Sequence, residues 1–295
     1  MLRRIQNRPR NIIDTIPGCV LGVSTQFQLR GSYGGQQLAV RRSSDNEEQR
    51  FFPSESKERT PLTGFVGAGN DGFLPAIYDQ SGFGRHAVQT SASAQPMIVD
   101  DGSAVELDGR LAGEFDGESQ WMEFPASAGL LPSLAAGSGF TMVVSYLNFG
   151  SGANVGVPPF FGNNRGFDSV NPGSFGLGGR VNSGNVFIRN EISGSTSIDS
   201  NEFTFAAGQY MRVSCTLDTG ASIGRIYING VFRQEVDFTG FDISSPHTLK
   251  LFHGTASNGN ISSGRIHAGK FVSGLVFNRP ISDAEQLYIH DQLLL

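Results

Sequence analysis

The sequence predicts an all-β sandwich, and three observations carry that prediction. Gly224-Arg225-Ile226-Tyr227-Ile228-Asn229-Gly230-Val231-Phe232-Arg233-Gln234-Glu235-Val236-Asp237-Phe238 is two β-rich runs separated by Asn-Gly. A two-residue type I′ loop needs φ > 0 at both central positions, which Asn and Gly tolerate best. The 39 Gly and 13 Pro are scattered between short apolar runs without a collagen-like period, which is how the many turns of a β protein look. Phe140 to Leu147 is β-branched and aromatic, as a central strand requires. Almost nothing reads as a long helix. In the hairpin, pairing Ile228 with Val231 and Ile226 with Arg233 puts an aliphatic stripe on one face, while Tyr227 meets Phe232 on the other. Neither face is plainly polar, so the hairpin reads as an inner strand pair with one face in the core and the other covered or offered to a partner.

From the N-terminus, Arg3, Arg4, Arg8 and Arg10 precede the first acid, Asp14, so residues 1–15 read as an extended basic arm. Residues 16–295 read as one sandwich, because no linker-like stretch interrupts them and a chain of this length buries roughly three quarters of its unfolded surface. Ile16 to Leu29 is a strand or a short helix entered through the Pro17-Gly18 turn. Leu38 to Arg42 is a strand, Ser43 to Arg50 a charged loop, and Phe51 to Arg59 too polar for core. Thr63 to Phe73 is a glycine-rich loop. It lacks the Lys-Ser/Thr of a phosphate cradle and no helix start follows its glycines, so it reads as a structural turn. Asp108-Gly109 and Asp116-Gly117 mark further turns, and Trp121 to Pro125 is a short strand. Asn148 to Asn201 is rich in Gly, Asn and Ser, with strands at 174–177 and 186–189 between long loops on one end of the sandwich, where ligand sites tend to sit. Met211, Val213, Cys215 and Leu217 alternate inward along Tyr210 to Asp218. Thr248 to Phe252 and Lys270 to Arg279 finish the sheets. Ser282 and Glu285 then have capping-box spacing with Asp283 in the first turn, and Leu287, Tyr288 and Leu294 would seat the resulting short helix.

Composition excludes several classes. A net charge of −5 and a pI near 5.5 leave no basic face for general nucleic-acid binding. No run approaches transmembrane length and no leader pattern precedes Asp14, so membrane insertion is not expected and folding in a cytoplasm is. Cys215 reads as a small core hydrophobe, and a bridge to Cys19 would be unusual in a reducing compartment. His86, His247, His253, His267 and His290 share no ligand spacing, so no transition-metal site is expected. No Gly-x-Ser-x-Gly sits between a strand and a helix.

One stretch carries a family resemblance. Val40-Arg41-Arg42-Ser43-Ser44-Asp45-Asn46, Phe65-Val66-Gly67-Ala68-Gly69 and Tyr78-Asp79-Gln80-Ser81-Gly82-Phe83-Gly84-Arg85-His86-Ala87 span roughly residues 38 to 99. Together they resemble the β-sandwich of fungal arabinofuranosidase B catalytic domains, and also many bacteriophage structural proteins. The rest, closing on a strand and the Asn278-Arg279-Pro280-Ile281-Ser282-Asp283-Ala284-Glu285 helix start, resembles a concanavalin A-like (laminin G-like) jelly roll. The resemblance implies a jelly-roll β-sandwich with a short C-terminal helix. It ties no catalytic residue of the arabinofuranosidases to a position here.

The sharpest catalytic pattern is Glu114-Phe115-Asp116-Gly117-Glu118. Alternate residues of a strand share a face, so Glu114, Asp116 and Glu118 would line up. Some concanavalin A-like endoglucanases use such a strand, with the outer carboxylates as nucleophile and acid/base; retention needs them about 5 to 5.5 Å apart. Gly117 opposes this, since it weakens a strand and makes Phe-Asp-Gly a turn former. Trp121 is a nearby sugar platform. Asp79 and His86 could pair as acid and base, against a reading in which Asp79 and Ser81 brace a tight turn over Tyr78. Asp71, Asp108, Asp116 and Asp168 are loop acids that could hold Ca2+ as lectin sandwiches do, with solvated turns as the plainer reading.

Two functions follow as expectations. The first is a non-catalytic surface protein of a tailed-phage virion, a capsid decoration or tail component assembled in the host cytoplasm. Its lectin-like domain would bind cell-surface or environmental glycans, and Arg3, Arg4, Arg8 and Arg10 would dock it on other virion proteins. The alternative is a glycoside hydrolase acting on arabinose-containing or β-linked polysaccharide through Glu114 and Glu118. Tyr227 and Phe232 on a second apolar hairpin face add an expectation of homo-oligomerisation.

Overall fold

A computed structural model describes residues 11–148, 159–163, 173–180, 185–191, 197–199, 203–204, 210–255, 261–266 and 268–294. Arg3, Arg4, Arg8 and Arg10, together with Asp168 and His267, lie outside the described residues. The all-β sandwich expected from the sequence is the architecture found, closed by a short C-terminal helix, Asp283–Leu294. Gly139–Asn148 is its central strand. It pairs antiparallel with Tyr210–Asp218 on one side and Ala268–Phe277 on the other. The sheet continues outward through Ile223–Ile228 to Val231–Asp237. On the opposite flank, Ala268–Phe277 is met by Cys19–Ser24 along its second half and Gly113–Asp116 along its first.

From there the hydrogen-bonded ladder rolls over into the second layer. Gly113–Asp116 touches Met97–Asp100, which joins Gly72–Ile77, and that strand pairs with Leu38–Arg42 and Ala87–Val88. Ala87–Val88 leads to Met122–Phe124, then Leu249–Leu251, Pro159–Gly162, Ser174–Arg180 and Asn185–Glu191. Every pairing is antiparallel, as a jelly roll of consecutive folded-back strands requires.

The main core lies between the layers. Phe140, Met142, Val144 and Tyr146 of the central strand enter it with Met211, Val213, Cys215 and Leu217. Val143 and Leu147 point the other way, into a second apolar cluster with Ile12, Ile16, Leu29, Leu275, Ile289 and Leu293. The first sheet is thus buried on both faces, which is why its strands read as continuous apolar runs.

Several local expectations are corrected. The turn has positive φ at both Asn229 (53°) and Gly230 (77°), and Ile228 faces Val231 and Tyr227 faces Phe232 as expected. Ile226, however, faces Gln234, because a bulge leaves Arg233 as the extra residue. Nor is the hairpin an inner pair: among the described residues Val231–Asp237 pairs only with Ile223–Ile228, and it is largely exposed. The covered face is closed by the C-terminal helix, where Tyr227 Oη donates to Asp283 Oδ1 at 2.7 Å. The last three residues of the charged loop join the strand Glu48–Phe51, and Phe51 is fully buried. The first four residues of the expected Thr63 to Phe73 loop belong instead to a helix, Thr60–Val66, with Pro61 in its first turn and Leu62 and Val66 four apart in the core, and Gly72 and Phe73 open the next strand. Only Gly67 to Asn70 forms the turn.

Residues 12–15, drawn with the arm, form a helical turn that buries Ile12. Cys19–Ser24 is the strand that follows it. Cys19 and Cys215 are free and buried. At the C-terminal helix the capping box forms, with Ser282 N donating to Glu285 Oε2 at 2.8 Å. Ile289 and Leu293 hold the helix to the sheet, with Tyr288 packed partly against them, while Leu287 is half exposed. The Leu294 side chain is outside the described residues.

Candidate functional site

The outer face of the second layer is built from two very short strands. Leu249 and Leu251 enter the core, so the residue between them, Lys250, projects to the opposite face. Met122 and Phe124 do the same for Glu123, which lies directly opposite Lys250 in the register. Lys250 Nζ sits 3.3 Å from Glu123 Oε1 and donates to Thr248 Oγ1 at 3.0 Å. The Thr248 hydroxyl donates to the same carboxylate. The Lys250 side chain is only 2% exposed. Burial draws its pKa below the usual lysine value, against the opposing pull of Glu123. His247 is likewise lowered, by burial and then by Lys250.

The register extends this pair across the sheet. Lys250 faces Gly162, Gly162 faces Gly176, Gly176 faces Arg189, and Arg189 faces Asp199. The row therefore runs acid, base, glycine, glycine, base, acid. The two glycines leave the middle of the row without side chains, and the backbones come so close that a Cβ on Gly162 would stand 2.5 Å from Gly176 Cα. Asn163 pins the approach to Lys250: its Oδ1 accepts from Phe175 N at 2.9 Å and its Nδ2 donates to His247 O at 3.3 Å. Trp121, two residues before Glu123, places its ring 5.6 Å from the buried His253 imidazole. The glycines and Lys250 are covered, while Trp121 and Glu123 are partly exposed at the margin of the row, where an indole can stack on an apolar ring face and a carboxylate can accept from hydroxyls.

The residues singled out from sequence lie elsewhere. Glu114 is on the strand Gly113–Asp116, opposite Lys270, whose Nζ is 3.2 Å from Glu114 Oε2. Asp116 ends that strand and folds the next residues around itself. Its Oδ1 accepts from Glu118 N (2.8 Å), Ser119 N (2.9 Å) and Gln120 N (3.0 Å), and its Oδ2 from Ser119 Oγ (2.8 Å). Burial works to raise its pKa, but the bonds from Ser119, Glu118 and Gln120 outweigh it and hold the carboxyl below the usual range. Glu118 is in this turn, beyond Gly117 at φ +76°, so the three carboxylates do not share a strand face.

Asp79 is buried and takes four hydrogen bonds: Gly22 N (2.8 Å) and Ser81 N (2.9 Å) on Oδ1, Ser81 Oγ (2.7 Å) and Arg85 N (3.0 Å) on Oδ2. His86 Nδ1 instead accepts from the Asp79 backbone N–H at 3.0 Å, and the His86 ring packs edge-on to Tyr78. The segment is a braced turn. Asp71 Oδ1 accepts from Asp101 N at 3.0 Å, and Asp108 is the first residue of a positive-φ turn. Among the described residues no three metal-ligating side chains gather. Sequence reasoning passed over Glu123 and Lys250. Their signal was one charge between two buried apolar residues in each of two runs, but only the register reveals that they meet.

No protein-family model and no curated protein sequence matches the chain. Solved structures do. A GH54 α-L-arabinofuranosidase soaked with a cyclic sulfate inhibitor is 13% identical, with a TM-score of 0.66 over 97% of this chain. A mutant GH54 enzyme soaked with 4-nitrophenyl α-L-arabinofuranoside is 14% identical with a TM-score of 0.67. The chain is similar to these enzymes in fold. It spans 65% of the length of each. The binding domain of botulinum neurotoxin serotype G is also similar, at 12% identity and a TM-score of 0.51, over 72% of this chain and 48% of that one.

Proposed function

We propose that the protein binds carbohydrate through the outer face that carries Trp121, Glu123 and Lys250, and that it does so as a non-catalytic surface protein of a tailed-phage virion. The observation that carries glycan binding is the pairing of a partly exposed Trp121 with Glu123 two residues on, along one strand face, with Lys250 opposite Glu123. Gly162, Gly176 and Lys250 are themselves buried, so the partly exposed Trp121 ring and Glu123 carboxylate are the groups that would meet a sugar ring and its hydroxyls. Fold likeness to arabinofuranosidases supports arabinose-containing oligosaccharides as the first ligands to try. The virion setting is supported by the resemblance of residues 38 to 99 and by the arginine-rich start of the chain.

The test is calorimetric titration with arabinoxylan fragments and a wider glycan panel. Trp121→Ala should weaken binding about tenfold or more, the loss of roughly 1.4 kcal/mol of stacking, with little change in Tm. If the wild-type protein binds nothing in the panel, the reading falls. A second reading, glycoside hydrolysis, is favoured by the 97% coverage of this chain in the enzyme alignment. The same samples decide it: binding without release of sugar supports the non-catalytic reading, while turnover abolished by Glu118→Gln or Glu114→Gln would establish the hydrolase.

A further inference from the structure

Behind the first sheet, in the seam closed by the C-terminal helix, polar groups are buried where the sequence pattern calls for apolar ones. Ser273, Ser145 and Arg212 are consecutive neighbours across three strands, since Ser145 faces Ser273 on one side and Arg212 on the other. Directly opposed residues share a face, and the flanking Val143, Leu147 and Leu275 place that face in the second apolar cluster. All three residues are more than nine-tenths buried, Arg212 at 4% exposure and the serines at 0 and 1%. Ser145 Oγ, Ser273 Oγ and Arg212 Nε have no hydrogen-bond partner.

The guanidinium is held but not neutralised. Its Nη1 donates to His290 O at 3.0 Å, and it lies over the Tyr210 ring at 5.3 Å. Arg110 lies over the same ring at 5.1 Å, adding a second positive charge. No ion pair recorded among the described residues engages Arg212. The Ser145 side chain lies close enough to the Tyr210 hydroxyl to act on it as a hydrogen-bonding neighbour, although the two oxygens do not meet in full hydrogen-bond geometry. Asp291, exposed on the C-terminal helix, acts on Arg212 electrostatically and only partly offsets its charge, and buried donors left without acceptors cost about 1–3 kcal/mol each and are rare in native proteins.

The geometry points to an internal anion site in this seam, in which a halide ion, chloride under ordinary conditions, is held by Arg212 Nε–H and the hydroxyls of Ser145 and Ser273. The Nε–H can only donate and each hydroxyl is free to turn its hydrogen inward. A spherical anion accepts all three and offsets the guanidinium charge, whereas a water would supply no charge. Neighbouring strands are about 4.8 Å apart, so three side chains in one row can converge on a single small ion. Bound there, the ion ties the sheet to the helix whose His290 carbonyl already holds the other arm of Arg212. The site is independent of the carbohydrate face, which lies on the opposite layer.

The experiment is crystallisation with bromide replacing chloride, with data collected at the bromine absorption edge. An anomalous peak beside Arg212 Nε and the two hydroxyls is expected; water density there without anomalous signal would overturn the assignment. In solution, replacing chloride by gluconate at constant ionic strength should lower the wild-type Tm by a few degrees through loss of a native-state ligand. That response should vanish in Arg212→Met and shrink in Ser145→Ala. Should Arg212→Met fail to fold, Ser145→Ala and the bromide map carry the test. A wild-type Tm indifferent to the anion would also overturn it.

Discussion

At the scale of single residues, charged groups in this protein act mainly by organising nearby backbone. Asp79 gathers donors from two distant segments, and Asp116 wraps a turn around its carboxylate. Glu285 closes the C-terminal capping box and pairs with Arg279, and these contacts give a pH prediction. Its carboxyl is lowered to about 2 by Arg279 first, with Ser282 adding to the effect against some burial. A depressed folded-state pKa contributes stability that is present above the ordinary carboxylate value of 4.5 and is lost as pH falls toward 2. Because the pair is partly solvated, its contribution should be about 1 kcal/mol. Urea denaturation of wild type and Glu285→Gln should differ by that amount at pH 7, and the gap should narrow below pH 4.5 and close only near pH 2. A gap unchanged between pH 7 and pH 2 would refute the assignment.

At the scale of elements, the Asn229-Gly230 hairpin does two jobs. Its type I′ turn sets the pairing next to the loop, and its strand Val231–Asp237 forms the sheet's edge among the described residues. That edge carries a bulge at Arg233 and charges at Arg233, Glu235 and Asp237, devices that keep a free edge from pairing with another sheet. The turn also supports the C-terminal helix. Gly230 has φ +77°, and a Cβ there would come 2.8 Å from His290 Cβ. Gly109 has a similar φ, +71°, but a Cβ there meets nothing. Gly109→Ala should therefore cost only backbone strain, about 1 kcal/mol, and Gly230→Ala roughly twice that because the helix must also shift. Equal losses in thermal denaturation would mean that the helix contact is unimportant.

At the scale of the whole molecule, the rolled ladder assembles the candidate face from distant sequence. Glu123 and Lys250 are more than a hundred residues apart, and the glycines between their strand and Arg189 come from two further segments. The virion reading belongs at this scale too, since it concerns how the sandwich is carried. Deleting residues 1 to 10 should abolish incorporation into particles while leaving the Tm unchanged, because Ile12, the first buried residue among those described, is retained. Particle sedimentation with the truncated protein checks this, and normal incorporation would end the docking idea.

Much of the fold was legible from local chemistry: the Asn-Gly turn, the central Phe140 to Leu147 run, the alternation around Cys215 and the Ser282/Glu285 cap all lie where their residues place them. The Arg233 bulge and the edge position of the hairpin were not legible, since both depend on which strand lies beyond. The helix Thr60–Val66 was hidden by its glycine-rich surroundings. The candidate site was the least legible part. Glu114, Asp116 and Glu118 form a pattern in the sequence and come apart in the structure, because Gly117 at positive φ ends the strand. Glu123 and Lys250 form no pattern in the sequence and meet in the structure. By itself the sequence determined the β class, the turns and the C-terminal cap, because each depends on backbone preferences within a few residues. Only the tertiary structure decided which charges share a sheet face, since strand register is a long-range property set by burial of the apolar residues on the other side.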